Sequence, residues 1–123
     1  MLVVGYVNFL AMGEVRVTFA VARVLRVFLD DISEPRYGYE LMRLTGFPSG
    51  KLYPILARLQ RAGWLIREQE DIDPATAARP ARRLYRLSST GIQTARHELA
   101  ALAQQLQPGS DPVARPRPQA GSA

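Results

Sequence analysis

Residues 37–64 read YGYELMRLTGFPSGKLYPILARLQRAGW, and the interpretation of the whole chain turns on them. Tyr37 to Thr45 places Tyr37, Leu41 and Leu44 along one side of a short helix, closed by Gly46 as a left-handed cap. Gly46-Phe47-Pro48 then makes a tight turn, and Ser49 caps a second helix that runs to about Ala62 and ends at Gly63. On this second helix Leu52, Ile55, Leu56 and Leu59 gather on one side, while Lys51, Tyr53, Ala57, Arg58 and Arg61 occupy the other. Two short helices joined across a glycine-containing turn form a helix-turn-helix. Pro54 deprives the Gly50 carbonyl of its donor, but so near the N-terminus this splays the first turn without breaking the helix.

On the N-terminal side, Thr18 caps a helix ending near Asp31, with Val21, Val24, Leu25, Phe28 and Ile32 at helical spacing and Arg23, Arg26 and Asp30 opposite. On the C-terminal side, Trp64 to Arg67 and Arg83 to Leu87 read as two strands, with Tyr85 and Leu87 alternating inward. A polar loop containing Asp71, Asp73, Pro74 and Pro80 joins them. A helix-turn-helix followed by a two-stranded hairpin is a winged helix, so the expected class is mainly α with a small β-hairpin (α+β). Ser88 or Ser89 opens a last helix in which Ile92, Ala95, Leu99, Leu102 and Leu106 form an a/d seam that favours a partner helix. From Gln107 onward Pro, Gly, Ala and Arg dominate, which predicts a disordered tail. The expected organisation is an N-terminal extension over 1–17, a winged helix-turn-helix over 18–88, a C-terminal dimerisation helix over 89–107 and the tail over 108–123. Met1 to Ala11 is apolar, lacks a basic leader and is shorter than the roughly 20 residues a membrane helix needs. It forms either a strand or a helix on the core, or it precedes the true start at Met12.

A chain of 123 residues is one domain's worth of material, and 47% hydrophobic with 22% charged residues is globular. Absence of cysteine removes disulfides, thiolate nucleophiles and cysteine metal sites, and a reducing cytoplasm is compatible with it. The formal net charge of +5 is unevenly spread. Residues 1–47 are balanced, residues 48–87 carry +4 and the remainder +1, so the excess sits on the helix and wing that would face an anionic partner. The N-terminal part of the second helix enters the major groove in such folds, which nominates Ser49, Lys51 and Tyr53 for base edges and nearby phosphates. For Tyr53 the alternative is that Tyr53-Pro54 only shapes the helix start. Arg58 and Arg61 are nominated for phosphates. The loop begins acidic with Glu68, Glu70, Asp71 and Asp73, and turns basic at Arg79, Arg82 and Arg83, so a wing contact falls to at least one of these three arginines.

With these pieces assembled the chain resembles the PadR family of bacterial transcriptional regulators. The matching elements are Tyr37-Gly38-Tyr39-Glu40-Leu41, Ser49-Gly50-Lys51-Leu52-Tyr53-Pro54-Ile55-Leu56, Arg58-Leu59, Ala62-Gly63-Trp64-Leu65, Arg79-Pro80 and Tyr85-Arg86-Leu87-Ser88, within about Thr18 to Leu106. The resemblance, to the branch with one short C-terminal helix, implies a homodimeric repressor of a palindromic operator. It places the dimer surface on the first and last helices: Val21, Leu25, Phe28, Ile92, Ala95, Leu99, Leu102 and Leu106. It also implies a small aromatic or lipophilic effector whose identity the sequence does not specify. Two positions depart from the family pattern: Ala78 where the wing commonly has glycine, and Leu84 where tyrosine is usual. The C-terminal helix has no aromatic residue, and the single tryptophan is Trp64, which argues against flat-ligand sensing from that helix.

The single histidine, His97, stands beside Glu98 on the last helix without a second ligand pair or a nucleophile at working spacing. Neither a metal, a cofactor nor catalysis is expected. The first helix sets two arginines against two aspartates, which is not the strongly basic face of a membrane-surface helix, so it reads as a core or dimer helix. The rival to a cytoplasmic DNA-binding regulator is a winged helix used for protein–protein contact, a role that would not need the +4 segment.

Overall fold

The computed structural model describes residues 15–108. The apolar start and the Pro/Gly-rich tail beyond Pro108 lie outside the described residues. Helix α1 (Phe19–Asp30) begins where Thr18 Oγ1 accepts the Val21 N–H at 3.3 Å. Its buried side chains, Val21, Val24, Leu25 and Phe28, repeat at three- and four-residue steps, so one stripe faces the core. Ile32, expected to continue that stripe, lies beyond the helix end and is exposed.

Strand β1 (Arg36–Tyr37) leads directly into α2 (Gly38–Thr45). Tyr37 is therefore strand and cap rather than helix, and the buried face of α2 is Gly38, Leu41 and Thr45, with Leu44 exposed. The Thr45 hydroxyl is satisfied inside the core: it donates to the Leu41 carbonyl at 2.6 Å and accepts the Phe47 N–H at 3.2 Å. Gly46 takes the left-handed conformation (φ 78°) and its N–H returns to the Met42 carbonyl, ending α2 as expected. Helix α3 (Ser49–Arg61) is capped by Pro48, not Ser49, and runs through Pro54 uninterrupted. Leu52, Ile55, Leu56 and Leu59 are all buried.

Strands β2 (Leu65–Gln69) and β3 (Arg83–Leu87) pair antiparallel from Leu65↔Leu87 to Gln69↔Arg83. The hairpin is in fact the larger part of a three-stranded sheet in the order β1-β3-β2, with Arg36↔Tyr85 and Tyr37↔Leu84 on the second edge of β3. Two residues are too few for a period-two pattern, which is why β1 escapes a sequence reading. The expected loop between β2 and β3 contains a one-turn helix, α4 (Pro74–Ala77), capped by Asp73. Helix α5 (Ser89–Leu106) starts at Ser88, whose Oγ accepts the Gly91 N–H at 2.9 Å and donates to the Gly63 carbonyl at 2.7 Å. Gly91 and Ala95 let α5 lie close on the sheet and core; a Cβ at Gly91 would run into the Trp64 carbonyl. The core thus joins α1, α2, α3, Trp64, the inner faces of β2 and β3, and the first half of α5.

This packing corrects the reading of the apolar stripes. Val21, Leu25, Phe28 and Ala95, expected at a dimer surface, are 2% exposed or less within a single protomer. A partner cannot touch them. Ile92 and Leu99 pack partly buried on the same core, whereas Leu106 is 61% exposed. Periodicity reports that a helix has an apolar face, not whose side chains cover it.

Candidate nucleic-acid interface

Helix α3 presents its surface in three strips. At 3.6 residues per turn Lys51 and Tyr53 lie about 160° apart, so these two nominated residues cannot work on the same strip. Lys51 lies on the flank toward α1, with Nζ 4.6 Å from the centre of the buried Phe47 ring, which the Arg23 guanidinium also approaches at 5.8 Å. Tyr53 lies on the opposite flank, toward the wing. The exposed ridge between them is Gly50, Pro54 and Arg61, with Ala57 half-buried among them. Ser49, displaced from the cap position, keeps its side chain exposed on the first turn. Arg58 and Arg61 are exposed on the last turn, where they oppose the negative end of the helix dipole.

Between α3 and the wing lies a slot of about 470 Å³ walled by Tyr37, Gly38, Tyr39, Tyr53, Arg82, Arg83 and Tyr85. Each wall has a local cause. Gly38 is buried under the Tyr53 phenol, and a Cβ there would overlap the ring and its hydroxyl. Tyr39 is 67% exposed on the first turn of α2, whose free N–H groups carry partial positive charge. Arg36 and Glu40 pair at 2.6 Å across the β1–α2 junction, fixing that turn against the sheet. Arg82 sets its guanidinium 4.2 Å from the centre of the Tyr37 ring, and Arg83 opens β3 on the same side. Aromatic hydroxyls, two guanidinium groups and a helix N-terminus on one concave face make a surface for an anion with a planar or sugar-bearing neighbour.

Sequence reasoning nominated Tyr53, Arg82 and Arg83, and the structure brings these three together. It missed Tyr37, Gly38, Tyr39 and Tyr85. Their signal was present in the Tyr37-Gly38-Tyr39 run, which served to recognise the fold but not the site. Arg79 does not join them. Its guanidinium pairs with both oxygens of Glu70 at 2.8 and 3.1 Å, which raises its pKa and holds the Glu70 carboxyl down at about 2, the Arg82 N–H assisting. Arg86 likewise pairs with Glu68 across the sheet. Two of the wing's carboxylates, Glu68 and Glu70, are thus partners of its arginines, while Asp73 caps α4.

A second concavity, about 530 Å³, runs between α1 and the C-terminal half of α5, lined by Phe19, Phe47, Leu99, Leu102 and Leu106 with Arg23, Arg26 and Lys51 at its rim. Among the described residues no cluster of His, Asp or Glu could hold a metal ion, and no helix is long and apolar enough to cross a membrane.

Sheet order, the helix pair and the wing together define a winged helix-turn-helix protein. The chain belongs to the transcriptional regulator PadR-like family, whose model matches residues 24–97. Members of that family are in general DNA-binding transcriptional regulators. Among solved structures, the Streptococcus mutans UA159 protein smu.1704 is similar in fold, with TM-score 0.61 and 19% identity over 81% of this chain and 92% of that one. A Streptococcus transcriptional regulator is similar with TM-score 0.50 and 24% identity over 74% of this chain and 95% of that one. A search of curated protein sequences finds no match.

Proposed function

We propose that this chain is a sequence-specific, double-stranded-DNA-binding transcriptional repressor that acts in the cytoplasm as a homodimer on a palindromic operator. The observation that carries the DNA reading is the slot in which Tyr39, Tyr53, Arg82 and Arg83 converge beside the exposed edge of α3. A duplex laid with α3 in its major groove would run one backbone through this slot, with a phosphate between the tyrosine hydroxyls, the guanidinium groups and the first turn of α2. Ser49, Gly50 and Pro54 would face base edges, with Arg61 and Arg58 on the neighbouring backbone. Lys51, drawn toward Phe47, serves the strand on the α1 side. Gly50 and Pro54 offer no hydrogen-bonding side chain, so shape and methyl contacts contribute to selectivity alongside Ser49.

For the dimer, support comes from Phe19 and Leu106, 66% and 61% exposed on either side of the groove between α1 and α5. A second copy of α5 covering Leu102 and Leu106 would remove that apolar surface from water. An effector remains part of the family expectation, with no aromatic on α5 to receive it.

The deciding experiment is library selection of bound duplex with purified protein, followed by titration of the selected sequence across a range of salt. Affinity should fall steeply with salt, by roughly 0.9 log units per log unit of salt for each phosphate contacted. A flat response would refute DNA binding and favour a protein partner. Leu106→Glu with Leu102→Glu should give monomers in sedimentation, and an unchanged dimer would reject the α5 surface.

A further inference from the structure

The wing is closed by a side chain where its strands stop pairing. The β2–β3 ladder ends at Gln69↔Arg83. One residue further out, the Glu70 N–H donates to the Arg82 carbonyl at 2.7 Å, and Glu70 Oε1 accepts the Arg82 N–H at 3.1 Å. The same carboxylate receives Arg79 through both oxygens, and Arg79 also donates to the Pro80 carbonyl at 3.2 Å. One carboxylate, about a fifth exposed, thus ties down both ends of the 79–82 segment. Bidentate charge-assisted pairing of this kind fixes orientation as well as distance.

The rest of the loop depends on that closure. Its only helical content is the single turn α4, held by Asp73, which accepts the Ala75 N–H at 3.1 Å and the Thr76 hydroxyl at 2.9 Å. Ala78 follows in a left-handed conformation (φ 59°) that a non-glycine residue adopts at a cost, and the Arg79 N–H reaches back to Pro74. One helical turn is not stable by itself. Arg82, fixed through its backbone at the clamp, is the residue whose guanidinium lies over Tyr37 at the mouth of the slot.

We propose that Glu70 is a positioning residue for DNA binding: by clamping Arg79 and the Arg82 N–H it holds Arg82 and Arg83 toward the slot, and Arg79 serves this clamp instead of touching DNA. The proposal rests on the DNA reading above. It carries a sign that simple electrostatics would not: removing a carboxylate from a surface that binds a polyanion ordinarily tightens binding, whereas removing this one weakens it. The Glu70 carboxyl is held at about 2 by Arg79 and Arg82, so the charge that these contacts need is present throughout the neutral range.

The test compares the wild-type chain with Glu70→Ala, Arg79→Ala and the double variant. Binding to a mixed-sequence duplex is measured across salt, and Arg82 amide exchange is measured in the free proteins, with the amide of buried Leu59 as the control for global folding. All three variants should bind about tenfold more weakly, as expected for losing one or two charge-assisted contacts. They should lose about 0.9 from the salt slope per phosphate contact and exchange the Arg82 amide faster with Leu59 unchanged. Because the two residues act as one unit, the double variant should be no worse than either single one. Glu70→Gln, which keeps an oxygen for the Arg82 N–H, should recover part of the loss. Binding by Glu70→Ala that equals or exceeds wild type, or weakening confined to Arg79→Ala, overturns the proposal. A wild-type chain that binds no duplex refutes the DNA reading and this role with it, while Arg82 exchange separately reports whether the clamp exists.

Discussion

Gly38 offers a way to move one residue of the slot without cutting it. A Cβ at Gly38 meets the far end of the Tyr53 ring, the hydroxyl and its neighbouring carbons, and no backbone atom is among its nearest neighbours. In Gly38→Ala the ring must therefore swing outward. Tyr53 is 42% exposed, so the swing opens no core cavity. An off-rotamer side chain costs about 0.5–1.5 kcal/mol, and replacing glycine by alanine in the first turn of α2 returns up to about 1 kcal/mol. The two nearly cancel, leaving stability within about 1 kcal/mol of wild type. DNA affinity has no such compensation. Losing a hydrogen bond to a charged phosphate costs about 1.5–3 kcal/mol, a loss of about tenfold to more than a hundredfold. The assay pairs urea unfolding with anisotropy of a labelled duplex. Tyr53→Ala should show the same affinity loss, and Gly38→Ala combined with Tyr53→Ala should lose no more than either, because both act on one side chain. Wild-type affinity in Gly38→Ala, or additive losses in the pair, would refute the placement of Tyr53 in the binding slot.

Three further outcomes follow from single positions. Gly50 stands exposed on α3 with nothing within 4 Å of a Cβ built on it, so Gly50→Ala should raise stability by about 1 kcal/mol, or about 4–8 °C in Tm. If the ridge meets DNA, the same substitution weakens binding; a stabilised protein with unchanged affinity would remove Gly50 from the interface. Ala78→Gly relieves a left-handed alanine (φ 59°), an effect of about 1–2 kcal/mol against about 0.4–1 kcal/mol of unfolded-state entropy. Urea unfolding should show unchanged or higher stability, and a clear loss would contradict the wing conformation. The Glu70 carboxyl is lowered from 4.5 to about 2 by Arg79 and the Arg82 N–H, so its stabilisation is complete above pH 4.5 and disappears as pH falls through 2. A carboxyl carbon titration by NMR should give a midpoint near 2; an ordinary midpoint near 4.5 would mean an open wing.

The helices were legible because their evidence is local and redundant. Thr18 and Ser88 as caps, Gly46 as a left-handed stop and the Leu52-Ile55-Leu56-Leu59 stripe each name their element independently. Strands β2 and β3 were found within a residue or two for the same reason. The single-turn helix α4 was missed because four residues hold no period, although Asp73-Pro74 is a start signal of the expected kind.

The site was less legible than the fold. Lys51 and Tyr53 are two residues apart and look equivalent in sequence, yet helical rotation sends one to Phe47 and the other to the wing. Arg79, Arg82 and Arg83 share one charge and lie close in sequence, and it is the Glu70 carboxylate, nine residues before Arg79, that takes the Arg79 guanidinium away from the slot.

From the order of its residues alone this chain determines a winged helix-turn-helix, its family and the basic segment that carries its excess charge, because capping, periodicity and composition act between near neighbours. The tertiary structure decided which apolar residues are spent inside the protomer, as with Val21, Leu25, Phe28 and Ala95, and which arginines remain for a partner. Those outcomes depend on contacts between residues far apart in the chain. No local pattern encodes which of two like side chains will meet a ring, a carboxylate or water.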